Sequence, residues 1–275
     1  MSSIPSLQLN DGHHIPQFGL GTWKTPNEEA PQLIRSALEM GYRHIDTAAA
    51  YNNEEGVGQG IAESGIDRSE LFVTTKLWNE RQGFDETLKA FDESLSKLKL
   101  DYVDLYLIHW PCPKAGKFLD TWKAFLRLRE EGRVRSVGVS NFRQEDLEQI
   151  ILETGVTPVV NQIEVHPLLQ QNDLREVNRQ KNILTEAWSP LAQGGELLKH
   201  PLFQELAKKH GKTPAQVILR WHVELGSIIF PKSTNPERIR ENADIFDFSL
   251  DSDDMQKIAA LDEGKRLGPD PAEFC

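Results

Sequence analysis

The sequence has little cysteine, no long apolar run and no basic tract, and each shortage excludes a class of protein. Cys112 and Cys275 are the two cysteines among 275 residues, and they suggest neither a disulfide framework nor a metal site. No stretch approaches the ~18 consecutive apolar residues of a membrane span. The first residues lack the basic start and apolar run of a signal peptide. We therefore expect a soluble cytoplasmic protein.

Acidic residues outnumber basic ones by 42 to 31, so the formal net charge is −11. Without a basic run, nucleic acid and anionic membranes are poor partners for this chain. A composition of 39% hydrophobic and 27% charged residues is typical of a globular protein and excludes a disordered tail protein. The length allows two small domains, but an α/β barrel of ~250 residues is one domain at this size. We expect a single domain over residues 1–275.

Short apolar runs alternate with amphipathic helical patterns along the chain. Eight runs are typical of strands: residues 18–22, 42–46, 71–76, 102–108, 134–139, 159–163, 183–187 and 227–230. Strict alternation of strand and helix indicates a parallel sheet, and at this length a closed (β/α)₈ TIM barrel is the expected α/β fold. Residues 7–15 predict a β-hairpin that turns at Asp11-Gly12 and plugs the bottom of the barrel.

Capping residues predict where three of the helices begin. Asn27 is a plausible N-cap of the first helix, Thr213 to Gln216 form a capping box, and Asn235 caps the helix after the last strand. The glycine-rich run 56–60 resembles a dinucleotide-binding loop but follows no strand. We interpret it as a site of close helix packing.

The active site of such a barrel lies at the carboxyl ends of its strands. The polar and aromatic residues at those ends are Thr22-Trp23, Asp46, Lys76, His109-Trp110, Ser140-Asn141, Gln162, Trp188-Ser189 and Lys232-Ser233. Tyr51 follows five residues after Asp46. Asp46 can hold a buried Lys76 charged, and Lys76 in turn can lower the pKa of Tyr51.

This set suits the polarisation and protonation of a carbonyl while another group supplies electrons. Tyr51 can act as the acid, and a neutral His109 can donate a hydrogen bond to the carbonyl oxygen. The set contains no nucleophile–base pair and no metal cage. Glu164 and His166 have no further ligands at metal spacing, so we interpret them as structural and predict no metal site.

Five motifs resemble the aldo-keto reductase family: residues 41–54, 104–111, 138–142, 161–167 and 230–233. Within that family, residues 71–79 and 264–271 are similar to bacterial 2,5-diketo-D-gluconate reductases, which also reduce methylglyoxal and β-keto esters. The resemblance implies NADPH-dependent reduction of a small aldehyde or ketone, in a chain that acts as a monomer. It also implies a catalytic tetrad of Asp46, Tyr51, Lys76 and His109, in which Tyr51 is the general acid and His109 orients the substrate.

The resemblance further implies an extended NADPH across the barrel mouth, with its nicotinamide stacked on Trp188 and its carboxamide held by Ser140, Asn141 and Gln162. The expected cofactor contacts are Thr22, Trp23, Asp46, Ser140, Asn141, Gln162, Trp188, Ser189, Pro190, Leu191, Lys232, Ser233, Thr234, Arg238, Glu241 and Asn242. The expected substrate contacts are Trp23, Tyr51, Trp78, His109 and Trp110.

The loop after the eighth strand is the expected site of the cofactor's 2′-phosphate. Barrels often bind phosphate at this loop and at the N-terminus of the helix that follows it. Lys232, Ser233, Thr234 and Arg238 supply two cations and two hydroxyls there. We expect this cluster to distinguish NADPH from NADH, whereas Glu241 and Asn242 contact the adenine.

Two other functions are compatible with parts of this pattern. Lys76 could form a Schiff base in a barrel aldolase, but a neighbouring Asp46 would keep its ammonium group protonated. The chain could also be a nucleotide-sensing subunit without turnover. The intact tetrad and the lack of an extra interaction domain argue against that function.

Overall fold

The computed structural model describes residues 4–275 and begins with the hairpin that the sequence predicts. Strands β1 (Ser6–Gln8) and β2 (His14–Pro16) pair antiparallel. Leu9 and Ile15 pack with apolar side chains from the barrel strands. Asn10 Nδ2 donates to the backbone oxygens of Pro158 and Asn182 at 2.9 and 3.1 Å. Both acceptors precede a strand, so the hairpin closes the amino-terminal end of the barrel.

Eight parallel strands form the barrel wall. They are β3 (Leu20–Gly21), β4 (His44–Asp46), β5 (Phe72–Leu77), β6 (Val103–Ile108), β7 (Val134–Ser140), β8 (Val160–Glu164), β9 (Leu184–Trp188) and β10 (Ile228–Ile229). Each strand pairs with its neighbours in chain order. A parallel bridge between Phe18 and Ile229 joins the first strand to the last, and Gly19 N donates to Ile229 O at 2.9 Å. The predicted (β/α)₈ fold is confirmed.

The helices surround these strands. They are α1 (Ala30–Glu39), α2 (Glu54–Glu63), α3 (Phe84–Leu98), α4 (Phe118–Glu130), α5 (Gln144–Thr154), α6 (Asn172–Gln180), α7 (Glu196–Lys199), α8 (Pro201–His210), α9 (Pro214–Glu224), α10 (Pro236–Ala243) and α11 (Ser252–Ala259). Helices α7, α8 and α11 were not anticipated, because they interrupt or follow the strand–helix alternation. None of the helices found between residues 4 and 275 is long and apolar enough to cross a membrane.

Two of the three predicted helix caps are present. The Thr213–Gln216 capping box begins α9, and the Asn235 side chain accepts from the first amides of α10. The prediction for Asn27 was wrong. Helix α1 starts after Glu29 without a side-chain cap, and Asn27 Oδ1 accepts from Gly56 N at 2.8 Å. The Asn27 side chain therefore binds the backbone of α2 and does not cap α1, although the local sequence favours a cap.

The glycine-rich run in α2 is a packing surface, as interpreted. A Cβ atom on Gly56 would lie 2.2 Å from Asn27 O, and one on Gly58 would lie 2.2 Å from Leu98 O. These distances leave no space for a side chain. The glycines therefore bring α2 against the start of α1 and the end of α3.

The two cysteines form a disulfide with a Cα–Cα distance of 4.8 Å, so the expectation that they have no structural pairing was wrong. They are 163 residues apart in the sequence, and such spacing carries no information about pairing. Cys112 follows β6, and Cys275 belongs to the tail that we define as residues 264–275. The tail crosses the barrel mouth before it reaches Cys112.

Candidate active site

A lysine inside the barrel connects three of the four predicted catalytic residues. Asp46 ends β4, and Lys76 lies on the adjacent strand β5. The Nζ of Lys76 donates to Asp46 Oδ1 at 2.6 Å, to Thr47 O at 2.9 Å and to Tyr51 Oη at 3.3 Å. Lys76 has no exposed surface. Its three donors are therefore all used within the protein.

The ionisation of this group differs in one respect from the prediction. Burial lowers the pKa of Lys76, but the charge of Asp46, the neighbouring Tyr51 and the hydrogen bonds to both raise it to a net value above the ordinary one. For Tyr51, burial raises the pKa more than Lys76 lowers it. The expected net lowering of the Tyr51 pKa was wrong, because it neglected desolvation. Tyr51 is a protonated phenol at neutral pH.

His109 follows β6 and faces the phenol. Its ring centroid lies 5.8 Å from that of Tyr51 and 5.3 Å from that of Trp78, both in edge-on orientation. Burial, followed by the positive charge of Lys76, holds the pKa of His109 well below its ordinary value of 6.5. The imidazole is therefore neutral at pH 7 and carries one N–H donor.

Sequence reasoning missed Glu186, a carboxyl group inside the barrel. Glu186 lies on β9 with no exposed surface. The Nε2 of Gln162 donates to Glu186 Oε2 at 2.8 Å and to Asp46 Oδ2 at 3.0 Å. Burial, with the nearby charge of Asp46, raises the pKa of Glu186 to about 8. The available signal was a carboxylate in the predicted strand 183–187, where a charge is costly without a partner.

The two carboxyl groups determine the orientation of the Gln162 amide. Because Asp46 and Glu186 accept its two N–H bonds, the oxygen points away from them. Among residues 4–275, nothing donates a hydrogen bond to Gln162 Oε1. That oxygen is available to a ligand at the barrel mouth.

Asn141 and Ser140 are near this amide but are committed to protein partners. Asn141 Nδ2 donates to His109 O at 3.0 Å and to Ser140 Oγ at 3.1 Å. Asn141 Oδ1 accepts from Trp188 Nε1 at 2.8 Å, and Ser140 Oγ donates to Gln162 O at 2.8 Å. These bonds connect the ends of β7, β8 and β9 and orient the Trp188 ring.

An aromatic cup lies above His109, and we define it as Trp78, Trp110 and Phe274. The Phe274 ring centroid lies 4.6 Å from Trp110 and 6.3 Å from Trp78. Trp23, by contrast, is 44% exposed and stacks on none of these rings among the residues described. Sequence reasoning missed Phe274, because only the path of the tail brings it to the cup.

The loop before α10 presents the expected cations to solvent. Lys232 and Arg238 are exposed. Asn235 already accepts from the amide of Arg238, so the side chains rather than free amides are the available anion ligands. Glu241, which is expected to contact the adenine, accepts a hydrogen bond from the hydroxyl of Thr213 at 2.8 Å. One of its carboxylate oxygens is therefore already engaged within the protein.

The other expected cofactor contacts also lie at the barrel mouth or in α10. Thr22 Oγ1 donates to Asp46 O at 3.1 Å. Ser189 has a φ of 49°. The backbone oxygen of Pro190 lies 3.0 Å from His222 Nε2. The remaining expected contacts are Pro190, Leu191, Ser233, Thr234 and Asn242, and of these Pro190, Ser233 and Asn242 are buried.

Glu164 and His166 anchor the tail, which agrees with their structural interpretation. His166 Nε2 lies 3.0 Å from Glu164 Oε1. Glu164 also accepts from the backbone amides of Leu267 at 2.7 Å and Gly268 at 3.0 Å. A Cβ atom on Gly268 would lie 2.3 Å from Trp188 Cη2, so glycine allows the tail to pass closely over that ring.

Known proteins are similar to this chain over nearly its whole length. Residues 16–263 match the model of the Aldo/keto reductase family. An aldo-keto reductase of Mycolicibacterium smegmatis is 58% identical over 270 residues, which are 98% of each chain. Methylglyoxal reductase DkgA of Salmonella typhimurium is 53% identical over 275 residues, 100% of this chain and 99% of the relative. A crystal structure of a Gox0644 mutant in complex with NADPH has a TM-score of 0.96 at 49% identity and covers 100% of both chains.

Proposed function

The chain belongs to the aldo/keto reductase family, and from that premise we propose that it catalyses NADPH-dependent reduction of small aldehydes and ketones. The observation that carries the proposal is the contact between Lys76 Nζ and Tyr51 Oη at 3.3 Å, with Asp46 on the other side of the ammonium at 2.6 Å. This arrangement holds a positive charge beside a protonated phenol. It supports proton donation to a developing alkoxide.

Each member of the tetrad has a distinct task in this proposal. Tyr51 donates its phenolic proton to the carbonyl oxygen of the substrate. Lys76 stabilises the phenolate that remains, and Asp46 keeps the buried Lys76 charged. His109, neutral because of burial, donates a hydrogen bond that orients the carbonyl towards Tyr51. When bound, NADPH supplies the hydride that the carbonyl carbon accepts.

The residues at the barrel mouth fit this cofactor. Gln162 Oε1 has no donor among residues 4–275 and faces away from two carboxyl groups, as an acceptor for an amide N–H should. Trp188 is partly exposed and is held by Asn141, so it offers an aromatic face of fixed orientation. Lys232 and Arg238 are exposed cations on a chain of net charge −11, which suits a phosphate.

Methylglyoxal is the first candidate substrate, because the DkgA relative is named a methylglyoxal reductase. The resemblance of residues 71–79 and 264–271 adds 2,5-diketo-D-gluconate and β-keto esters. The aromatic cup is lined by apolar rings, as small-molecule sites commonly are. A Schiff-base mechanism is disfavoured, because the Lys76 ammonium is paired and its pKa is raised.

The proposal includes a single barrel domain that acts as a cytoplasmic monomer. All the groups assigned to the reaction and the cofactor come from one chain, so the site needs no second copy. Size-exclusion chromatography with light scattering and subcellular fractionation test these two assignments.

The direct test follows NADPH absorbance in the near ultraviolet with methylglyoxal, 2,5-diketogluconate and ethyl acetoacetate as substrates. We expect turnover with at least one of them, and the ratios of kcat/KM rank the candidates. Binding of NADPH without oxidation by any carbonyl would instead support the sensor function. An adduct at Lys76 after borohydride treatment with substrate would support the aldolase.

A further inference from the structure

We propose that the Cys112–Cys275 disulfide holds Phe274 in the substrate cup, so that a dithiol reductant opens the cup to bulkier substrates. The inference rests on the proposed reductase function. It concerns substrate size and redox state, neither of which the tetrad determines.

Phe274 is the part of the cup contributed by the tail. Its ring contacts Trp110 at a centroid distance of 4.6 Å and Trp78 at 6.3 Å. Trp78 in turn lies 5.3 Å from the ring of His109. Phe274 therefore stands one aromatic ring away from the group that orients the carbonyl. A bulky substrate substituent in this cup would have to displace it.

The last turn of the tail orients Phe274 but does not attach it to the barrel. The backbone amides of Glu273 and Phe274 donate to Asp270 O at 3.0 and 2.9 Å, and Ala272 N donates to Asp270 Oδ1 at 2.9 Å. These bonds are internal to the tail. The turn can therefore keep its shape when it moves as a unit.

Few polar contacts hold that turn to the barrel. Within the described residues, the polar contact of this turn with the barrel is an ion pair between Lys114 and Glu273. Both partners are about two-thirds exposed, so the pair adds little. The next anchor upstream is Glu164, which binds the amides of Leu267 and Gly268. The turn is otherwise held by apolar contacts of Phe274 and the buried Pro271, and the disulfide adds a covalent restraint next to Phe274.

A cavity lies between the tail and the loops that follow β7 and β8. Its volume is about 190 Å³, and its lining includes Asn141, Arg143, Arg266 and Asp270. The tail is therefore not packed continuously against the barrel. Space beneath it is consistent with displacement once the covalent restraint is broken.

The disulfide joins a buried cysteine to an exposed one. Cys112 is fully buried, lies between Pro111 and Pro113, and has a φ of 47°. It is also three residues from His109. Cys275, unlike Cys112, is an exposed residue, and in the proposal its sulfur is the one that a thiolate reagent attacks. Cys112 is therefore held in the loop that carries His109, whereas Cys275 is the cysteine at which thiol exchange begins.

Opening the disulfide is a balanced two-electron exchange. A thiolate of the dithiol attacks Sγ of Cys275 and displaces the Cys112 thiolate, which takes up a proton. The second thiol of the reagent then displaces Cys275 from the mixed disulfide. The products are two cysteine thiols and the oxidised cyclic disulfide of the reagent. In the cytoplasm, disulfides that do form are usually transient and often redox-sensing.

The experiment compares two β-keto esters that differ in the acyl substituent, a methyl group in ethyl acetoacetate and a phenyl group in ethyl benzoylacetate. The ratio of their kcat/KM values is measured for the oxidised protein and for protein treated with dithiothreitol. We expect reduction to raise the ratio in favour of the aryl ester by about tenfold, the scale of discrimination by an apolar pocket. An unchanged ratio overturns the proposal.

Two variants separate the effect of the disulfide from the effect of the Phe274 side chain. Cys275→Ser should show the reduced protein's ratio with or without dithiothreitol, and its affinity for NADPH should be unchanged. Phe274→Ala keeps both cysteines and should favour the aryl ester in both redox states. A Phe274→Ala variant with the oxidised wild-type ratio would contradict the assignment of Phe274.

A structural measurement distinguishes failure of this proposal from failure of the proposed reductase function. Differential alkylation with mass spectrometry reports the pairing of Cys112 with Cys275, and hydrogen exchange reports opening of residues 269–275. Both are independent of turnover. We expect no alkylation before reduction and faster exchange after it. Free thiols in the protein purified without reductant would overturn the proposed role of the disulfide, even if the protein is an active reductase. Equal hydrogen exchange in the oxidised and reduced protein would overturn it as well.

Discussion

Glu186 Oε2 accepts a hydrogen bond of 2.8 Å from Nε2 of Gln162. The same Nε2 donates to Asp46 Oδ2 at 3.0 Å, so the Gln162 amide bridges two carboxyl groups. Burial disfavours the charged form of Glu186, and repulsion by the Asp46 carboxylate adds to this effect, so the neutral form of Glu186 is favoured. The barrel therefore contains one carboxylate that holds Lys76 and one carboxylic acid that holds the Gln162 amide.

The first prediction concerns the pH dependence of stability. The pKa of Glu186 rises from 4.5 to about 8 on folding, so between these values the folded state binds more protons than the unfolded state. Stability should therefore fall as pH rises through about 4.5 to 8, by a few kcal/mol in total. Glu186→Gln should remove this component and leave a flatter profile.

The measurement is the unfolding temperature of wild type and variant at several pH values from 4.5 to 9. Asp46 and Lys76 face the same interior and are unchanged, so the difference between the two profiles isolates Glu186. Parallel profiles would show that Glu186 does not change its protonation on folding.

The second prediction concerns the proton donor. Tyr51→Phe should abolish reduction, with a loss of at least ~10²-fold, because positioned acid catalysis contributes that much. NADPH affinity should be nearly unchanged, because the hydroxyl acts on the developing alkoxide. Steady-state kinetics and fluorescence titration measure the two effects. A variant that keeps more than a tenth of the wild-type kcat would remove Tyr51 from this role.

The third prediction concerns the buried ion pair. Asp46→Asn leaves the fully buried Lys76 without its counter-ion, and loss of one partner of such a pair costs about 3–5 kcal/mol. We expect lower stability, a smaller activity loss than in Tyr51→Phe and a shifted pH–rate profile. Denaturant unfolding and the pH dependence of kcat/KM measure these effects.

A double variant provides the control for this pair. Asp46→Asn with Lys76→Met leaves neither charge in the interior, so it should be more stable than Asp46→Asn alone, although inactive. If the double variant is no more stable, the unpaired lysine is not the cause of the loss. An unchanged pH–rate profile in Asp46→Asn would contradict the coupling of Asp46, Lys76 and Tyr51.

The fourth prediction concerns the cofactor phosphate. Arg238→Ala should weaken NADPH binding by about tenfold to a hundredfold, the value of a hydrogen bond to a charged group, and barely change NADH binding. Arg240→Ala is the matched control, because Arg240 is an exposed arginine on the same helix, two residues and about 200° further round. Tryptophan fluorescence titration with both cofactors measures the affinities. Equal losses for NADPH and NADH would place the 2′-phosphate elsewhere.

The residues at the strand ends show how much of the site is predictable from sequence. Asp46 and Lys76 lie on neighbouring strands, and parallel strands expose their carboxyl ends at one edge. Their 2.6 Å contact therefore follows from the strand–helix pattern and the position of each residue in its run. The capping box at Thr213 was predictable for a different reason, because the geometry of four consecutive residues determines it.

Other features depend on contacts between segments that are distant in sequence. Glu186 shares the Gln162 amide with Asp46, Asn27 binds α2 rather than its own helix, and desolvation reverses the net shift of the Tyr51 pKa. Local spacing contains none of these terms, since each depends on which atoms surround the group in three dimensions. The pairing of Cys112 with Cys275 is the clearest case, because only the path of the tail over Trp188 brings together sulfurs that are 163 residues apart. The sequence by itself determined the barrel and the chemistry at its mouth, through periodicity and strand-end position, whereas the tertiary structure alone decided what closes that mouth.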